Sequence, residues 1–198
     1  MTAAAVPGLI GPNAISRTID ALRARLGDLE TEALLNAAGL AQYAREPPAA
    51  MVPEFEVAVL FRTLQQRLGE ARTNAVARDA GRRTADYLLA HRIPGFAQFI
   101  LRLLPPRLAC RGLFAAIRRN TWTFAGSGSV RLTAGRPALV AIADCPLCAE
   151  ARTDHPACGF YAGAFERLFE ELVKTGAWAQ EISCVAIGED ACRWIITY

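Results

Sequence analysis

The stretch CGFYAGAFERLFEELVKTGAWAQEISCVAIGEDAC, residues 158–192, decides how this chain folds. Its first part places Tyr161, Phe165, Leu168, Phe169 and Leu172 at helical spacing, which predicts a helix over about 158–175 with Gly176 just past its end. The remainder reads as a hairpin, 178–187 and 191–197. A three-residue loop at Ile187-Gly188-Glu189 would set Cys184 opposite Cys192, Ile182 opposite Trp194 and Gln180 opposite Ile196. Opposed β-carbons lie about 4.5–5.5 Å apart. That suits two thiolates on one tetrahedral metal with bonds of about 2.3 Å. Cys158 opens the helix, where the dipole favours a thiolate, and Glu181 offers a fourth donor. Glu181 and Cys184 are three apart, so a regular strand would point them to opposite faces, and a bulge is needed to join them.

Two readings of these cysteines stay open on the residues alone. Free cysteine is common in cores as a small apolar side chain, and the spacing is not that of a zinc finger. Cys145-Pro-Leu-Cys148 is a second pair. Without a βαβ unit around it a thioredoxin role does not follow. It is either a source of alternative ligands for the same metal or a loop with two ordinary thiols. His155, three residues before Cys158, is a further donor or an outer partner.

Working outward, residues 130–133 alternate and 138–143 run continuously apolar, predicting a hairpin whose second strand is buried on both faces. Upstream the periodicity is helical. Ile15, Ile19, Leu22 and Leu26 form one stripe, with Asn13 as cap and Gly27 as stop, and a short helix follows over 31–38. Residues 45–53 carry three prolines and read as a linker. Val57, Leu60, Phe61, Leu64 and Leu68 make the next stripe, with Pro53 at the first helical position. Helix continues over 71–92, then through Phe96, Phe99, Ile100, Leu103 and Leu104, then over 108–119, with breaks at Ile93-Pro94-Gly95 and Pro105-Pro106. Ala77, Ala80, Gly81 and Ala85 form a small-residue face suited to a helix-mediated homodimer. The expected class is α+β: an antiparallel sheet of two hairpins in a ββαββ unit over 129–198, packed with helices. Residues 1–52 form a helical extension and linker, its first dozen residues a loose lead-in, and 53–198 the main domain.

Composition narrows the function. Hydrophobic residues make up 53% of 198, which supports a large core. A net charge of +3 argues against a nucleic-acid partner. No apolar run reaches membrane-spanning length, and the first residues do not resemble a signal peptide. A cytoplasmic location is therefore expected, where six cysteines would be thiols or metal ligands rather than disulfides.

The pattern P-A-C158-G-F-Y161-A-G163 with Q-E181-I-S-C184-V-A-I-G188-E-D-A-C192 resembles the 4-vinyl reductase domain family. The resemblance covers about residues 120–198. It implies a zinc ion held by Cys158, Glu181, Cys184 and Cys192, as in the family's phenol-sensing members, whose ligand separations of 23, 3 and 8 recur here. It also implies a fold similar to transport-particle (TRAPP) subunits, which hold a fatty chain in an apolar pocket. The segments 11–18, GPNAISRT, 117–128, IRRNTWTFAGSG, and 143–148, ADCPLC, resemble the BchJ family of bacteriochlorophyll biosynthesis proteins across nearly the whole chain. That likeness implies binding of a tetrapyrrole intermediate, Mg-protoporphyrin or divinyl protochlorophyllide, and association with 8-vinyl reduction. It also implies work as a pigment carrier beside magnesium chelatase or the next pathway enzymes, and homodimerisation.

Reduction by the chain alone is hard to build. No G-x-G-x-x-G follows a strand, no P-loop is present, and no ferredoxin-like cysteine run occurs. A reductase would need an external electron donor. A carrier needs an apolar cleft and cations for propionates. Phe96, Phe99, Phe114, Trp122 and Phe124 are candidate walls, and Arg118 with Arg119 candidate carboxylate partners. His91 or His155 are candidate magnesium ligands. Against this stands the plain reading of core aromatics and a solvated helix end. A small-molecule-sensing or scaffold module is the third reading.

Overall fold

The computed structural model describes residues 8–149 and 151–198; most of the expected lead-in, residues 1–7, lies outside the described residues. The organising element is helix α8, Gly159–Leu172, in which no residue is exposed. A helix apolar on nearly all sides is stable only when covered on nearly all sides. On one side lies a four-stranded antiparallel sheet of β3 (Ser129–Thr133), β4 (Ala138–Ala143), β5 (Trp178–Ser183) and β6 (Ala191–Thr197), in the order β3-β4-β6-β5. Tyr161 and Phe165 meet the fully buried Trp194 of β6 edge-on, with ring centroids 5.3 and 5.9 Å away. The protein is thus α+β with the expected ββαββ unit.

On the other side α8 crosses helix α5, Glu70–His91. The approach is close because both helices offer glycine at the crossing. A β-carbon on Gly81 would fall on the Phe160 carbonyl oxygen, and one on Gly163 on the Arg78 carbonyl oxygen. The small-residue face of Ala77, Ala80, Gly81 and Ala85 is therefore buried inside the chain, and it is not a surface through which a second copy could pack. Glu166, buried in the middle of α8, accepts hydrogen bonds from Arg78 and from Arg82 Nη1 (2.7 Å), so the crossing also carries an ion-pair network.

Two strand expectations are corrected. β4 alternates: Ala138, Val140 and Ile142 are buried, while Leu139 is 41% exposed. The helices cover only one face of the sheet, so a continuous apolar run did not mean burial on both. In the last hairpin Gln180 faces Ile195 and Glu181 faces Trp194, then the register shifts and Ser183 faces Arg193. The bulge at Ile182 puts that side chain at the surface, 49% exposed. The connection is a 3-10 turn, Val185–Ile187, closed by Gly188 at φ +94°, rather than a three-residue loop.

The remaining helices are α1 (Asn13–Leu26), α2 (Asp28–Ala37), α3 (Gln42–Arg45), α4 (Glu54–Leu68), α6 (Gly95–Leu103) and α7 (Pro106–Arg118). α1 packs along α5 through buried Ile15, Ile19 and Leu22. Strand β1, Leu9–Ile10, pairs with β2, Val52–Pro53, so Pro53 ends a strand and caps α4 rather than starting it. α6 differs from all the long helices: none of its residues is buried.

Candidate metal centre

Three structural features converge at the start of α8. Cys158 is its N-cap residue. The bulge turns Glu181 toward it, and Glu181 Oε2 accepts the Cys158 backbone N–H at 2.8 Å. Cys184 and Cys192 close the last hairpin with sulfurs 3.6 Å apart. Cys158 Sγ lies 3.9 Å from Cys184 Sγ and 3.7 Å from Cys192 Sγ. A tetrahedron of sulfurs about 2.3 Å from a zinc ion has edges of about 3.8 Å. The three sulfurs form one face of such a tetrahedron, and with a Glu181 oxygen all four donor atoms lie within 4.8 Å of one another.

The Cys145-Pro-Leu-Cys148 pair joins the same cluster. A 3-10 turn over Pro146–Cys148 packs beside α4 and folds both thiols inward. Cys145 Sγ is 3.6 Å from Cys158 Sγ, and Cys148 Sγ is 3.4 Å from Cys192 Sγ and 3.8 Å from Cys184 Sγ. All five thiols are buried. His155 is not among them. Its ring is solvent-exposed and lies 3.3 Å from Glu70, because the 151–157 loop turns it outward.

The electrostatics fit a cation. Burial, reinforced by the neighbouring Cys184 sulfur, pushes the Glu181 carboxyl up to about 9. Its Oε1 is buried with no hydrogen-bond partner, an orphaned acceptor beside five sulfurs. Hydrogen bonding within the cluster, from Cys145 first, lowers Cys192 to about 5, and bonding from Cys148 lowers Cys184 to about 7. Cys158 is driven well above its ordinary value by its thiol neighbours, and Cys145 upward by burial. One thiolate thus comes easily and the others resist. A divalent ion supplies the charge that lets further sulfurs ionise. The donor set is therefore suited to a soft or borderline metal such as zinc.

Comparison with known proteins places this geometry. Residues 139–198 match the 4-vinyl reductase (V-4-R) domain, a segment running from β4 through β6 and including the whole cluster region. The bacteriochlorophyll synthase 23 kDa chain of Cereibacter sphaeroides is 41% identical over 190 residues, covering 96% of this chain and 91% of that one. The protein of the same name from Rhodobacter capsulatus is 40% identical over 187 residues, covering 94% and 86%. This chain belongs to the bacteriochlorophyll synthase 23 kDa chain family. Among solved structures, the Fe(II) unliganded H-NOX protein from K. algicida superposes with a TM-score of 0.61 at 11% identity, covering 95% of this chain and 96% of that one. A structure titled for haem distortion in the H-NOX family reaches 0.57 at 14% identity, covering 96% and 95%. At such identities the likeness is one of fold.

The aromatic side chains expected to wall a cleft are not brought together in this family member. Phe114 packs edge-on to Phe169 (5.6 Å), and Phe124 to Tyr161 (6.1 Å), both as core. Phe96, Phe99 and Trp122 are 71%, 62% and 61% exposed. Arg118 Nη2 donates to the Leu132 carbonyl at 3.3 Å, and His91 lies 4.8 Å from the Tyr87 ring at the end of α5. A different cleft of about 360 Å³ opens between α4 and the cysteine turn, lined by Phe55, Ala58, Val59, Arg62, Cys145 and Pro146 among others. No sequence signal marks it, since Phe55 falls outside the apolar stripe of its own helix. Glu166 was also missed. Its signal is a carboxylate set among apolar neighbours in the middle of a buried helix.

Proposed function

We propose that the protein binds a tetrapyrrole intermediate of bacteriochlorophyll biosynthesis, Mg-protoporphyrin or divinyl protochlorophyllide, and presents it to pathway enzymes around the 8-vinyl reduction step. The observation that carries this reading is the match, over almost the whole chain, to proteins named for bacteriochlorophyll synthase. The fold supports it, because the H-NOX neighbours include a structure titled for haem, another tetrapyrrole. The α4 cleft offers an apolar wall in Phe55, Ala58 and Val59. Its volume is at the low end for a ligand site, so the ring would enter by its edge or widen the cleft as it binds.

In this reading a zinc ion is held by Cys158, Cys184 and Cys192, with Glu181 as fourth ligand. Four protein ligands leave no open coordination position, so the ion ties α8 to the last hairpin and supports the cleft through the cysteine turn. Metal analysis of Cys184→Ser and Cys192→Ser checks the ligands: each should lose zinc, and full retention in both would exclude the set.

The carrier role is tested with Mg-protoporphyrin. Adding the zinc-loaded protein should shift and sharpen the Soret band to a saturating end point, and Phe55→Glu should weaken the titration at least about tenfold, the cost of placing a charge against the ring. A Soret band unchanged at saturating protein would overturn the reading. Divinyl substrate with NADPH should give no monovinyl product from this protein alone; turnover would make it a reductase.

A further inference from the structure

The cluster offers six donors where one tetrahedral ion needs four. They fall into two sets, Cys145, Cys148, Cys158 and Cys192, and Cys158, Glu181, Cys184 and Cys192, each with all donor atoms within 4.8 Å. The sets share Cys158 and Cys192, whose sulfurs are 3.7 Å apart, close to the edge of about 3.8 Å that two tetrahedra would hold in common. Two four-coordinate ions bridged by two thiolates need six donors, the number present. A single ion would leave Cys145 and one of its neighbours buried without a role, beside the orphaned Glu181 Oε1.

We infer that the cluster is a binuclear thiolate centre, in which Cys145 and Cys148 hold a second zinc-like ion bridged to the first through Cys158 and Cys192. This rests on the metal reading above. The ions bind with release of the thiol protons, so loading is favoured as pH rises. The Cys148–Cys184 contact of 3.8 Å is the one that lengthens on loading, since outer ligands of edge-sharing tetrahedra stand about 5 Å apart.

The test is a count. The reduced, metal-free full chain is titrated with Cd²⁺ under anaerobic conditions and examined by native mass spectrometry. The wild type should bind two ions, and Cys145→Ser/Cys148→Ser should bind one. A wild type that saturates at one ion overturns the second site and leaves the first. A wild type that binds none overturns both. Cadmium NMR of the wild type reads the bridge independently of any variant: two resonances coupled to each other are expected, and a single resonance at saturation overturns the proposal.

A separate observation concerns α6. Between Asp86 and Asp144 the chain has eight arginines and no acidic residue, while the other 14 cations stand against 19 acids. In the same stretch α6 exposes Phe96, Phe99, Ile100 and Leu103. Large apolar side chains among arginines, with no carboxylate nearby in sequence, match the boundary of an anionic bilayer, where the rings enter the acyl edge and guanidinium groups meet lipid phosphates. We propose that α6 and the start of α7 dock on an anionic lipid surface. The protein should co-sediment with vesicles of equal phosphatidylglycerol and phosphatidylcholine, release as salt is raised, and ignore pure phosphatidylcholine. Phe99→Asp/Leu103→Asp should abolish sedimentation. Absence of binding to the anionic vesicles overturns the proposal. So does a wild-type dimer in light scattering that the same variant splits, which would mean that a second copy covers the face.

Discussion

Helices α8 and α6 carry similar apolar content and end in opposite environments. In α8 no residue is exposed, and Phe169 is fully buried against Phe114 and Tyr198. In α6 no residue is buried, and Phe99 is 62% exposed. Periodicity tells which side chains share a helix face. It does not tell whether another element arrives to cover that face. For α8 the cover comes from a sheet on one side and a glycine-to-glycine crossing on the other. For α6 the proline pair that follows turns the chain into α7, and only the Ala97, Gln98 and Leu101 side leans inward.

The sharpest way to break this contrast is to truncate one ring from each helix. Phe169→Ala should cost about 3–5 kcal/mol in urea unfolding, transfer and cavity terms together. Phe99→Ala should stay within about 0.5 kcal/mol, as at other exposed sites. Equal losses would mean that α6 is packed in solution and the contrast is false.

The same contrast explains what could be read in advance. The ββαββ order was legible because strand and helix periods differ, and because Gly27 and Gly176 take the positive φ values that end helical patterns cheaply. The metal cluster was partly legible. Glu181 and Cys184, three apart, already required a bulge if both were to face Cys158, and the bulge is there. Its position fixes the register, and nothing in Gln180-Glu181-Ile182-Ser183 marks that position. The partner of the small-residue face was illegible for another reason. Alanine and glycine state how near a neighbour can come, not which neighbour comes, and Gly159 and Gly163 of the same chain answer the question only once α8 is in place.

That crossing sharpens the comparison at the next level. Gly81→Ala puts a methyl group onto the Phe160 carbonyl oxygen, which backbone cannot yield without separating the helices. A loss of about 1–3 kcal/mol is expected, where the helical propensity of alanine alone would give a small gain. Urea titration gives the sign directly. Gly95→Ala is the control at the start of α6, since nothing lies within 4 Å of a β-carbon there.

Glu166 tests whether the crossing depends on charge as well as shape. Glu166→Gln keeps the volume and removes the charge that Arg78 and Arg82 share. Both guanidinium groups retain solvent contact, with side-chain exposures of 27% and 37%, so the stranded charges are partly hydrated. The expected loss is accordingly about 1–2 kcal/mol, below the value for severing a fully buried pair. A double-mutant cycle with Arg82→Met should show coupling, and strict additivity would assign Glu166 a packing role only.

The smallest effect belongs to the loop that leads into α8. Glu70, at the start of α5, accepts the Asp154 backbone N–H at 3.0 Å and faces His155 at 3.3 Å. The Asp154 bond, with help from His155, holds the Glu70 carboxyl below its ordinary value. A carboxyl depressed in the folded state stabilises that state fully above its ordinary value of 4.5 and loses the contribution as pH falls through the lowered one. Glu70→Gln should therefore speed hydrogen exchange of the Asp154 amide slightly at neutral pH, and the difference should close in acid. Because the group is solvated, added salt should also reduce the part owed to His155 and leave the part owed to the backbone bond. If exchange at Asp154 ignores both pH and the substitution, the loop is held by the cluster end of α8 alone. The contrast between a saturated helix and an open one would then extend to the segments that flank them.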